Sequence, residues 1–194
     1  FNRPDCAALL LDAGMAMHPR VYLRAMDTGA HGMLALFDER DLLPGNLRIF
    51  AARGDLDSVR KCFDTSGTLL ESGRPKVGLG SEYAGAEGDW PDPADDRLIV
   101  ADAFLYACRM GHRDIARFLL DRCLQLDADL RIRVEAWEGK RAFIDFCLEN
   151  PPDGGRHARY EGEGEDDPGL IWQRVVKLRL LAALDQGDAK VIYD

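Results

Sequence analysis

The sequence predicts an all-α fold, a short helical-repeat solenoid interrupted by two long acidic loops, and three observations carry that expectation. Apolar residues recur at helical spacing along most of the 194-residue chain. No segment alternates apolar and polar residues as a half-buried strand would. Glycines at 29, 54, 111, 139 and 187 each end one helix-period stripe and open another. Self-similarity of this kind marks stacked helix pairs that cannot bury their apolar faces alone.

The elements follow in order. Pro4 and the stripe Cys6, Ala7, Leu9, Leu10 and Leu11 predict a helix over 4–13, since proline at the first helical position loses nothing by lacking an N–H. Pro19 opens a second over 19–28, and Met33, Leu34, Leu36 and Phe37 define a third over 31–39. The next pair, 45–53 and 56–64, turns at Gly54; Ala51 and Ala52 let its helices approach, and Leu56, Val59, Cys62 and Phe63 form its stripe. Helices at 98–110 and 112–124 turn at Gly111. Those at 128–137 and 140–149 turn at Gly139, with Phe143, Ile144, Phe146, Cys147 and Leu148 facing inward. Two last helices are expected at 169–185, after Pro168, and at 188–193. Asp57 and Asp114 sit in first turns, where a carboxylate favours the positive end of the helix dipole. His18 is expected to cap the first helix as a C-terminal cation.

The best-formed unit is Asp102-Ala-Phe-Leu-Tyr-Ala-Cys-Arg-Met-Gly-His-Arg-Asp-Ile-Ala-Arg-Phe-Leu-Leu120, with a small pair, a Gly-His turn and an apolar second helix. It resembles the helix–turn–helix unit of an ankyrin repeat, and Ala13-Gly-Met-Ala-Met17 resembles the ending of such a unit. Two features depart from the family. The Thr-Pro-Leu-His opening is missing, Asp102-Ala103-Phe104-Leu105 standing in its place. The turn glycines lie 25, 57, 28 and 48 residues apart, against about 33 for a regular unit. The resemblance implies a degenerate array with a concave face lined by first helices and turns. Carried over unit by unit, it makes Arg53, Tyr106, Arg109, Met110 and Trp137 candidate partner contacts. For Tyr106 and Trp137, packing inside the array is the competing reading. His112 holds the turn position where such units commonly carry a histidine that hydrogen-bonds the turn.

Charge is unevenly spread. Residues 64–96 hold eight acids against two bases and residues 151–168 six against two, so these segments account for the whole net charge of −9. The insertions 64–97 and 150–168 are therefore acidic while the helical remainder is near neutral, and the basic footprint of a nucleic-acid binder is missing. Trp90 lies in Asp-Trp-Pro-Asp-Pro within the first insertion and needs a covering partner, either the repeats or another protein. The acidic run at 161–167 reads as a disordered low-complexity segment. Cys6, Cys62, Cys108, Cys123 and Cys147 all fall in apolar stripes, which predicts buried free thiols and a reduced, intracellular setting, the cytoplasm. No apolar run is long enough to span a bilayer, and the chain is expected to be a single repeat domain, a fragment of a longer protein.

There is no P-loop and no GxSxG elbow, and Gly78-Leu-Gly-Ser-Glu-Tyr-Ala-Gly85 lacks the third glycine of a dinucleotide cradle. No HExxH or paired CxxC supplies metal ligands, and 161–167 does not match an EF-hand loop. No cofactor, metal or catalytic residue is therefore expected. The expected function is a non-catalytic protein–protein interaction module offering a preorganised groove to a protein or peptide, with neither nucleic acid nor membrane as partner. Two rival readings are a structural spacer within a larger protein and a metal-dependent enzyme on a helical scaffold.

Overall fold

The computed structural model describes residues 2–75, 96–136 and 140–149. Among them the architecture is all-α, with no strand and a lone antiparallel bridge between Phe63 and Leu69. The helices are α1 (Pro4–Asp12), α2 (Pro19–Asp27), α3 (His31–Glu39), α4 (Leu47–Arg53), α5 (Leu56–Lys61), α6 (Asp96–Arg109), α7 (Arg113–Leu126), α8 (Ala128–Ala136) and α9 (Lys140–Glu149), with a 3-10 turn at Glu71–Gly73. These match the expected helices to within a few residues at each end. The helices expected at 169–185 and 188–193, the 150–168 segment and residues 76–95 lie outside the described residues.

Three helix pairs share one turn. Gly29, Gly54 and Gly111 take φ of +64°, +85° and +77°, a left-handed geometry that a Cβ disfavours. The next residue, Ala30, Asp55 or His112, donates its N–H five residues back, to Ala25, Phe50 or Ala107, at 2.8, 3.0 and 2.9 Å. That bond closes a Schellman end and satisfies a carbonyl the helix would leave orphaned. The same residue then sits at φ/ψ near −81°/72°, −86°/80° and −87°/76°. It is the centre of an inverse γ-turn, in which the residue after it donates back to the glycine carbonyl at 3.0–3.1 Å. The backbone is thus the same in α2–α3, α4–α5 and α6–α7, although the side chains differ.

Caps fix the other starts. Asn46 Oδ1 accepts from Ile49 N–H at 3.1 Å and Asp55 Oδ1 from Ser58 N–H at 2.9 Å. The α1 helix ends at Asp12 with Gly14 left-handed behind it, so its end is capped by backbone. His18 stands instead before α2, its carbonyl accepting from Val21 N–H.

α6 is the centre of the molecule. Residues 99–108 are buried without a break, as expected of a helix surrounded on all sides. It packs against α2, α4, α7 and α9. One apolar core joins α4–α7 to α8 and α9, with Phe104, Leu119, Leu120, Val134 and Phe143 fully covered. A second core joins α2 and α3 to one side of α4 and the end of α6. Ala51 faces the first core and Ala52 the second, which is why small residues are required late in α4.

The first insertion is not all loop. Leu69 is buried, and Gly73 lies so close to Cys62 that a Cβ there would meet the Cys62 Cβ at 2.7 Å. Arg74 reaches Asp96 at 2.6 Å, which ties the segment to the first turn of α6. Residues 64–75 therefore belong to the packed body, because Leu69 supplies an apolar anchor that the segment's acidity conceals. Of the five cysteines, four are buried and Cys6 is exposed. The expectation of burial fails at Cys6 because α1 buries none of its residues, leaving Leu9 and Leu10 open as well.

Candidate functional site

The turns of α4–α5 and α6–α7 stack on each other through His112. Its Nε2–H donates to the Ala52 carbonyl at 3.0 Å, since a carbonyl can only accept. Its ring lies flat against Gly54, where a Cβ would sit 2.8 Å from Cε1 and 3.0 Å from Nδ1. His31, at the start of α3, meets the same ring edge to face, 6.3 Å between centroids. One imidazole thus links three helix pairs. Burial lowers the His112 pKa; the Ala52 carbonyl opposes this and His31 adds to it.

Arg53 closes the adjacent edge. Its guanidinium pairs with Asp38 from α3, donates to Asp55 Oδ2 at 2.8 Å and lies 5.4 Å above the Phe50 ring. Asp55, bonded by Ser58 before all else and then by Arg53, is held down to about 2. Arg53 is thus only about a quarter exposed, at 28 %, and an incoming carboxylate would have to compete with two of the chain's own.

The sequence-predicted contacts divide. Arg53 and Arg109 lie half-buried at the ends of α4 and α6, just before the turn glycines. Tyr106 and Met110 are buried in the second core, at 2 % and 4 % exposure. They face α2 and α3 because α6 is enclosed on every side and has no free face at those positions. Trp90 and Trp137 lie outside the described residues.

Two arrangements were missed. Arg48 and Asp102 form a fully buried ion pair between α4 and α6, with the Arg48 guanidinium 5.6 Å from the Tyr106 ring centroid. The signal was present: each is a lone charge inside an apolar run, Leu47-Arg-Ile-Phe-Ala51 and Ile99-Val-Ala-Asp-Ala-Phe104. Buried charges are found paired, so two such interruptions on helices of neighbouring pairs point at one another. The second is a cleft of about 470 Å³ between α7 and α8, lined by charged side chains from both helices and from Lys140 of α9. Its one local signal is the pair of opposite charges Arg131 and Glu135 at i, i+4 on α8, which says nothing of the helix they face.

Burial pushes the Cys62 thiol up to about 11 and raises those of Cys108 and Cys123 as well, so these thiols are poor nucleophiles near neutrality. Among the described residues no group of three histidine, cysteine or acidic side chains converges to hold a metal ion, and no helix is long and apolar enough to cross a membrane. No protein-family model, no curated protein and no solved structure matches the chain.

Proposed function

We propose that the chain is an ankyrin-like helical-repeat array that acts as a non-catalytic interaction module for a protein or peptide in a reducing, cytoplasmic setting. The observation that supports this reading most is the threefold recurrence of one backbone turn, at Gly29, Gly54 and Gly111, with matching dihedrals and hydrogen bonds. A stack held turn to turn by His112 is ordered before any partner arrives. Preorganisation of that kind lowers the entropy lost on association. The half-buried Arg53 and Arg109 border the turn edge, and arginine is a residue type enriched where interfaces carry energy. The acidic segments would steer a partner with basic character toward it.

A photo-crosslinking amino acid at 109 tests the reading, with one at the exposed Lys61, at the far end of α5 from its turn, as control. In extract from cells expressing the full chain, a discrete adduct is expected from position 109 and none from 61. Equal labelling from both positions, or no adduct from 109, would overturn it.

A further inference from the structure

We infer that the cleft between α7 and α8 captures a single carboxylate of a peptide segment. The peptide character of the ligand rests on the interaction reading above; the carboxylate chemistry rests on the cleft itself. At about 470 Å³ it has the size of a small-ligand pocket, enough for a side chain and its flanking backbone.

Its back wall is built around Arg122. The guanidinium lies 5.1 Å from the Phe118 ring centroid and 5.7 Å from that of Phe63. Nη1 donates to Gln125 Oε1 at 2.9 Å, while the buried Nε has no hydrogen-bond partner among the described residues. Gly67, at φ +89°, leaves the space that Arg122 fills, since a Cβ there would come within 2.4 Å of Nη1. Two rings and a glycine therefore hold a cation in place before anything binds.

The charges select the ligand. Lys140 is committed to Asp121, 2.8 Å away. Arg131 and Glu135, four residues apart on α8, face the cleft without an ion pair between them or to any other described residue. Arg122, Arg131 and Lys140 against Asp121 and Glu135 leave the lining with one net positive charge. A singly charged carboxylate balances it and offers two acceptors to the fork of Arg131. A phosphate dianion would overshoot and meet two resident carboxylates, so the cleft favours the carboxylate.

Arginine Nε–Hε resonances of the full chain, followed by NMR, test this directly. The probes are N-acetylglutamate α-amide for a side-chain carboxylate, N-acetylglycine for a chain-terminal one, neutral N-acetylglutamine amide and inorganic phosphate. At least one carboxylate should shift Arg122 and Arg131 saturably and more than the exposed Arg117 of α7; which of the two binds tighter assigns the source. Arg131→Gln should weaken binding about fivefold or more, as loss of a charge-assisted pair requires. Glu135→Gln should tighten it, and both variants alter exposed side chains of a folded helix. Shifts no larger than at Arg117, tighter binding of phosphate than of either carboxylate, or an unchanged affinity in Arg131→Gln would overturn the inference. A crosslink lost at 109 with carboxylate binding intact would count against the interaction reading and leave the cleft standing.

Discussion

Gly54 and Gly111 occupy the same place in the same turn, yet replacing them by alanine should cost different amounts. Both are left-handed, so either substitution incurs the strain of a Cβ in that region, about 1–2 kcal/mol. At Gly111 nothing lies within 4 Å of the added methyl, and the cost ends there. At Gly54 the methyl falls 2.8 Å from the His112 ring, which cannot shift without losing its bond to Ala52. That bond is worth about 1 kcal/mol net and the crowding about 1 kcal/mol more, placing Gly54→Ala at about 3–4 kcal/mol. Urea unfolding followed by far-ultraviolet circular dichroism measures both. In a His112→Ala background the two glycine variants should converge, because the group that separates them is gone. Equal costs in the parent chain, or a difference that survives removal of His112, would refute the turn-on-turn contact as the cause.

Three further outcomes are expected. Asp102→Ala should destabilise by about 3–5 kcal/mol, because it strips Arg48 of its buried counter-charge, whereas Arg48→Met combined with Asp102→Leu should recover most of the loss; thermal unfolding of both variants checks this. The folded pKa of His112 lies below 6.5, so its contribution to stability is complete above that value and is lost as the pH falls below about 6.5, where the unfolded chain takes up the proton more readily; His112→Asn should flatten the stability profile between pH 7.5 and 5. Asp55 shows the acid counterpart, since its folded value of about 2 lies below the ordinary 3.8, and the stability it gives is lost as the pH falls from about 4 to 2; Asp55→Asn, which keeps a capping oxygen but not the charge, should lower stability at neutral pH and leave it little changed near pH 2 in urea titrations.

Periodicity made the helices legible, and particular residues show where its reach ended. The stripes at 33–37, 56–63 and 115–120 placed α3, α5 and α7 because a half-buried helix repeats its apolar residues on one face. α6 is buried all round, so its pattern is continuous and tells nothing of direction; the resemblance made Met110 a contact, and Tyr106 either a contact or a packed ring, and both are core. α1 shows the converse error. Its leucines form a good stripe, but a stripe states only what a helix is able to bury, and Leu9 stands 71 % exposed. Of the site, the turn residues Arg53 and His112 were found because local grammar fixes them. The Arg48–Asp102 pair was legible as two lone charges in apolar runs but spans 54 residues, beyond the reach of local periodicity, and the α7–α8 cleft depends on how two helices cross, which spacing does not state.

The uneven spacing of the turn glycines has its reason in the contrast between turns within helix pairs and links between them. Within a pair, consecutive N–H groups are committed in the Schellman end and the γ-turn, so an inserted residue would break bonds that are otherwise satisfied. Between pairs the links share no geometry. The α3–α4 link runs over 40–46 and turns through Asp41 at φ +53°. The α5–α6 link starts at Cys62, and its described part, 62–75, is anchored by Leu69 and by Arg74, which reaches Asp96 of α6. The α7–α8 link is Asp127 alone, which receives the end of α7 and caps α8 through Leu130 N–H at 3.0 Å. Closing a longer link costs only about 0.6 kcal/mol for each doubling of its length. Length variation therefore collects in the links while the turns stay constant, and the contacts of α6 with α4 and α7 form regardless of how much chain separates them.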